Sequence, residues 1–189
     1  MDALAWRIAR TVYPFLALTA FIGVCLNSIL LLTTLRTKSL RSTANILIGS
    51  CAAFDVLHQT GYFVFFPILF SDYYIDSFYC TCMQFLPELG MGAGAFCVLC
   101  IGIDRALSAA YPLGYNRLGS KQLLKYQFLA IALFCCWTAY LMIAYWTPKK
   151  LICGMPSPFH GSALALWSRS LHLVNLASAL LYFITWRTL

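Results

Sequence analysis

The chain has 189 residues, 61% of them hydrophobic, 16% aromatic and 10% charged, with a mean hydropathy of +0.78. A globular domain carries roughly 25% charged residues, so this composition excludes most water-soluble folds and any disordered chain. The formal charge of +7 sits on 13 Lys and Arg, which in a membrane protein face head groups and cytoplasm, so no nucleic-acid partner is called for.

A helix crossing hydrocarbon needs about 20 mostly apolar residues. Five windows meet that length. The first runs from Thr11 to Leu35 and ends at Arg36, Lys38 and Arg41. The second covers about 43–70, interrupted by Asp55 and His58, and the third about 78–110, with Glu88 toward one end and Asp104–Arg105 at the other. The fourth spans about 124–147 and the fifth about 163–187, which includes Arg169 and His172. The expectation is an all-α, multi-pass membrane bundle of five helices forming a single transmembrane domain over 1–189.

Lys and Arg resist translocation, which fixes the orientation. With the N-terminus outside, the inner side holds Arg36, Lys38, Arg41, Arg105, Arg117, Lys121, Lys125 and Arg187. The outer side holds Arg7, Arg10, Lys149 and Lys150 with the acids Asp2, Asp72 and Asp76. The bias favours N-out, C-in. Tyr73, Tyr74, Phe78, Tyr79, Tyr145 and Trp146 then form an aromatic belt at the outer interface. The first apolar stretch is too long for a signal peptide, and neither terminus carries a lipidation signal. The longest outer loop is about 148–162, marked by Pro156, Pro158 and Gly161.

Ionisable groups in hydrocarbon cost about 2.5–3.5 kcal/mol each, so each needs a reason. Asp55 lies too deep in the second helix to reach water, and reads equally as a hydrogen-bonded structural carboxyl or a switch residue. Asp104–Arg105 either marks a membrane exit or belongs to a wider pattern. Arg105 is followed by Pro112 seven residues on and preceded by Cys80 twenty-five residues before; Asn45 precedes Asp55 by ten, Asn27 follows Gly23 by four, and Trp137 lies within the fourth helix.

In this order and spacing, Asn27, Asp55, Asp104–Arg105 and Trp137 resemble the helix markers of rhodopsin-like (class A) G-protein-coupled receptors. The stretches LRSTANILIGSCAAFD and CIGIDRALSAAYPLGY look most like the nematode serpentine chemoreceptors of the Srsx class. The resemblance implies that Asp104 holds Arg105 at rest and that Arg105 meets a heterotrimeric G protein on activation, near Pro112. Ala106 stands where an aromatic is usual. Asn45 and Trp137 would pair across the second and fourth helices, and Asn27 and Asp55 would belong to the polar core. Gly94 departs from the hydroxyl that the third helix usually offers Asp55.

Cys80 would be tied to the second outer loop, with Cys153 as natural partner and Cys82 as a rival. The other six cysteines read as small packing residues, since metal ligation would need polar companions. Glu88 lies about 12 Å below Cys80 at 1.5 Å per residue, and Arg169 sits at comparable depth. Either the two face each other across an outer ligand cavity with His172, or Arg169 snorkels outward and Glu88 is protonated. Gly90, Gly92 and Gly94 give the third helix a small-residue face. His58 and His172 could ligate haem from two helices, but nothing else supports a cofactor. Three scattered histidines assemble no hydrolase set.

The resemblance covers nearly the whole chain and about two thirds of the family's fold, because helices six and seven have no counterpart here. The expectation is therefore a chemosensory receptor, truncated after five helices, that binds an extracellular small molecule or peptide and couples to a G protein. It would lie in the plasma membrane, including that of a sensory-neuron cilium. The alternative is a non-signalling five-helix protein that joins full-length receptors in an oligomer.

Overall fold

The computed structural model describes residues 3–40, 42–71 and 74–188. Asp2, Arg41, Asp72 and Tyr73, which entered the charge and aromatic balance above, lie outside the described residues, as does the side chain of Arg117. Five long helices form the bundle: α1 (Ala3–Arg36), α2 (Thr43–Ser71), α3 (Ser77–Ala110), α5 (Ser120–Ala144) and α6 (Ala163–Thr188). Each contains a segment long and apolar enough to cross a membrane.

A short helix α4 (Pro112–Leu118) joins α3 to α5, and two short strands, β1 (Ile75–Asp76) and β2 (Lys150–Leu151), pair antiparallel at the other end. None of the three shows in the hydropathy pattern. Tyr111 leaves the helical conformation at φ −136°, ψ 59°, and Pro112 restarts the chain at the first position of α4, where its missing N–H costs nothing. Gly119, at φ +75°, then separates α4 from α5. That left-handed conformation favours glycine.

Helix α5 also ends earlier than expected, at Ala144 rather than Thr147. Thr147 precedes Pro148, and the residue before a proline is pushed out of helical geometry. Its N–H is taken instead by His160 Nδ1, at 2.8 Å.

Helix α3 is the hub, packing against α2, α5 and α6. Half of its apolar window is buried, against 6% for α1, whose Phe21, Leu26 and Ile29 face outward. An outer cluster of Leu141, Met142, Phe159, Ala163, Trp167 and Leu171 joins α5, α6 and the loop before α6. Deeper, Leu47, Ala93, Cys97, Cys100 and Ile131 join α2, α3 and α5.

Glycine sets how closely α3 meets its neighbours. A Cβ on Gly90 would lie 2.7 Å from both the His58 nitrogen and the Phe54 oxygen, which are backbone atoms of α2 that cannot swing aside. At Gly92 the same atom would press on Phe134 and Thr138 of α5. The small-residue face thus serves two helices. Gly90→Ala should lower the thermal midpoint in lipid nanodiscs, at a cost of about 2 kcal/mol from overpacking. Gly102→Ala, whose new methyl would meet only ordinary contacts from 3.4 Å, should leave the midpoint unchanged or raised.

Candidate functional site

Cys80 and Cys153 are joined by a disulfide, both fully buried beside Ile68. Cys82 is free and exposed, because two residues along a helix turn it about 200° from Cys80. A disulfide persists on the oxidising side of a membrane, so this end is the outer one. Beside it, Ser77 Oγ donates to the Thr147 carbonyl at 2.8 Å and Ser77 N–H to the Lys149 carbonyl at 2.8 Å. His160, 2% exposed, accepts from Thr147 and caps the start of α6 through its own carbonyl. The loop then crosses the bundle, so that Gly154 packs on Phe65 and Met155 reaches Gly61 of α2.

Beneath this loop lie Gln84 and Glu88, both with 0% exposure. Gln84 Nε2 donates to the Gly61 carbonyl at 3.2 Å. Among the described residues, neither carboxyl oxygen of Glu88 has a hydrogen-bond partner. Arg169 does not supply one. The buried positions of α6 are Ala163, Trp167, Leu171, Val174, Ser178 and Thr185, and Arg169 lies two residues from both Trp167 and Leu171, on the opposite side of the helix. Equal depth therefore did not bring it to Glu88. Arg169 and His172 instead line an outward groove of about 530 Å³ with Ser168, Leu173 and Leu176, and His172 bonds to the Ser168 carbonyl at 2.6 Å.

In the middle of the bundle, Asp55 is half-buried, and a Cβ on Gly94 would lie 3.1 Å from its Oδ1. The place of the missing hydroxyl is thus directly beside the carboxylate. Asn27 is half-buried, one turn below Gly23, whose face meets Gln59 of α2. The expected pairing of Asn45 with Trp137 is not formed: the Trp137 indole N–H donates to Ser170 Oγ of α6 at 3.2 Å. Asn45 stands near the start of α2 and Trp137 in the last third of α5. Both helices start at the inner end, so the two residues are at different depths.

At the inner end, Asp104 is fully buried and holds two partners. Arg105 Nη2 donates to its Oδ2 at 2.7 Å, and the Tyr115 hydroxyl donates to its Oδ1 at 2.8 Å. Tyr115, presented by α4, went unnoticed in the sequence because nothing local marks its reach back to α3. Burial, reinforced by the Asp104 carboxylate, holds its phenol above the usual 10. Arg105, with its side chain 50% exposed, lines a groove of about 450 Å³ with Ser108, Ala109, Tyr182, Thr185 and Trp186. Pro112 is exposed and starts the helix that carries Tyr115.

A model of the family described as Serpentine type 7TM GPCR chemoreceptor Srsx matches residues 20–189. The chain belongs to this family. Similar curated relatives include Dopamine receptor 3 of Caenorhabditis elegans, 28% identical over 124 residues, 61% of this chain and 19% of that protein. Apelin receptor A of Danio rerio is 27% identical over 128 residues, 64% of this chain and 34% of the relative. Apelin receptor of Xenopus tropicalis is 26% identical over 141 residues, 70% and 37% respectively. The matched stretches thus span between 19% and 37% of those relatives' lengths. The Srsx chain is accordingly a rhodopsin-like receptor chain in a membrane, and it carries five of the spans of a seven-helix family.

The outer loop of this Srsx chain should respond to pH through His160. Its pKa lies below the ordinary 6.5, first because burial disfavours the charged ring and then because Lys149 repels it. The unfolded loop therefore binds more protons below about pH 6.5, and stability is full above that value and falls as pH drops toward the folded pKa. Hydrogen exchange at the Thr147 amide should accelerate below pH 6.5, and His160→Asn, which keeps an acceptor there, should flatten that dependence.

Proposed function

We propose that the chain forms the sensing and coupling part of a chemosensory G-protein-coupled receptor, with Asp104, Arg105 and Tyr115 as its inner switch. An extracellular small molecule or peptide binds in the outer half of the bundle, beneath the 148–162 loop, and a heterotrimeric G protein engages the inner end. The observation that carries this reading is the inequality within the charged pair. Asp104 is sealed in protein while the Arg105 side chain is half exposed beside an open groove.

The physical consequence is a latch. A buried carboxylate must keep its donors or pay for desolvation, so Asp104 stays in place and holds Arg105 and Tyr115. Arg105 has water and the inner interface within reach, and it can leave Asp104 for a partner that offers carbonyl or carboxylate acceptors. Tyr115 couples this exchange to α4, on the inner surface. The relatives, a dopamine receptor and apelin receptors, support a receptor.

In a seven-helix receptor carrying this chain as its first five helices, Arg105→Ala should abolish nucleotide exchange on the G protein while leaving surface expression largely intact. Tyr115→Phe removes one donor from Asp104, a hydrogen bond to charge worth about 1.5–3 kcal/mol. It should raise ligand-free exchange several-fold. Normal signalling from Arg105→Ala would overturn the assignment.

A further inference from the structure

Helices α2 and α3 run in opposite directions, and their close approaches share one register. Gly90 faces His58, where a Cβ would lie 2.7 Å from the His58 nitrogen, and Gly94 faces Phe54, where a Cβ would lie 3.8 Å from the Phe54 Cβ. Three residues further along α3 and three residues back along α2, the same register opposes Cys97 to Cys51. The side-chain contacts agree. Cys97 Sγ donates to the Leu47 carbonyl of α2 at 3.2 Å, and Cys51 Sγ donates to the Gly94 carbonyl of α3 at 3.9 Å. The two thiol side chains also meet each other directly.

Both cysteines are free. Hydroxyls would serve those carbonyls as well as thiols do; what two opposed thiols add is the possibility of a bond between them. A disulfide needs Cβ atoms about 3.5–4.5 Å apart, and α2 and α3 hold that separation one turn away, at Gly94 and Phe54. Cys100 is not a rival, because it faces α5, with its Sγ 4.0 Å from the Gln127 carbonyl.

We propose that Cys51 and Cys97 form an oxidation-sensitive pair that hydrogen peroxide converts to a disulfide, stapling α2 to α3 just inward of Asp55. Cys51 is the part-buried member and Cys97 is sealed, with 0% exposure, so the small neutral oxidant meets Cys51 first. Asp55 lies one turn along α2 from Cys51, in electrostatic contact with it, and is placed to take its proton. The Cys51 sulfur attacks the O–O bond and becomes a sulfenic acid, and the departing hydroxide takes the proton from Asp55 and leaves as water. The Cys97 sulfur then attacks the sulfenic sulfur, the S–O bond breaks, and the hydroxyl leaves with the Cys97 proton as a second water. The two thiols together lose two electrons, and one peroxide gains them. The bond fixes α3 against α2 about two turns outward of Asp104. Its formation does not depend on the receptor reading.

The test treats the 189-residue chain in lipid nanodiscs with hydrogen peroxide, blocks the remaining thiols with an alkylating reagent and reads the digest by mass spectrometry. A peptide pair joined through Cys51 and Cys97, lighter than its reduced parts by two hydrogen atoms, should appear, and the thermal midpoint should rise by several degrees. Cys51→Ser and Cys97→Ser, which keep a donor for each carbonyl, should show the parent's untreated midpoint and lose both the joined pair and the rise. Cys82→Ser and Cys100→Ser should keep both. Absence of the joined pair under conditions that oxidise the exposed Cys82, a pair joining either cysteine to Cys100 instead, or a midpoint rise that survives in Cys51→Ser overturns the proposal. The joined pair is read in the unaltered chain, so it decides the matter even where a serine variant fails to fold.

Discussion

Hydrocarbon offers a polar side chain no hydrogen-bond partner, and α3 is where this chain meets that constraint. Ser77, Gln84, Glu88 and Asp104 are all fully buried on this one helix, and each must be answered from within the protein. Ser77 is answered by the loop backbone, Gln84 by the Gly61 carbonyl, and Asp104 by Arg105 and Tyr115. The Gly61 carbonyl is within reach because α2 and α3 pack with backbone against backbone at Gly90. A side chain there would hold the helices apart and strand Gln84. Packing and polar satisfaction are therefore one requirement along this seam.

The two ends of α3 are secured by different chemistry. At the outer end the Cys80–Cys153 bond, the strand pair and the Ser77 and His160 contacts hold the loop over the bundle. A bridge between residues 73 apart in sequence is worth about 4 kcal/mol in chain-entropy terms. At the inner end the hold is electrostatic and reversible. Its parts are a buried acid, a half-exposed arginine and a tyrosine from a seven-residue helix. A fixed outer end and a releasable inner one are what a helix needs if events at one face are to register at the other.

Hydropathy and charge made the five spans legible, because each span must be nearly free of ionisable groups. Spacing made Asp104–Arg105 legible as well. What escaped were features set by three-dimensional return. Tyr115 reaches Asp104 from eleven residues away, and His160 reaches Thr147 across a loop; neither leaves a periodic trace. The pairing of Asn45 with Trp137 failed for a related reason. It matched residue types across two helices without asking whether their depths agreed, and Trp137 found Ser170 at its own level.

Glu88 and Arg169 show the limit of depth as a guide. At 1.5 Å per residue the sequence placed both at similar heights, but a helix also assigns each residue an angle of 100°. The buried series of α6 leaves Arg169 facing outward, while Glu88 turns into protein. Opposite charges at equal depth thus fail to pair. The arginine can use the interface, because its long stem lets it snorkel. The glutamate has no such exit. Its two oxygens, unlike those of Asp104, find no donor among the described residues. With Gln84 Oε1, they are the exceptions on a helix whose Ser77 and Asp104 are satisfied by neighbouring backbone and side chains.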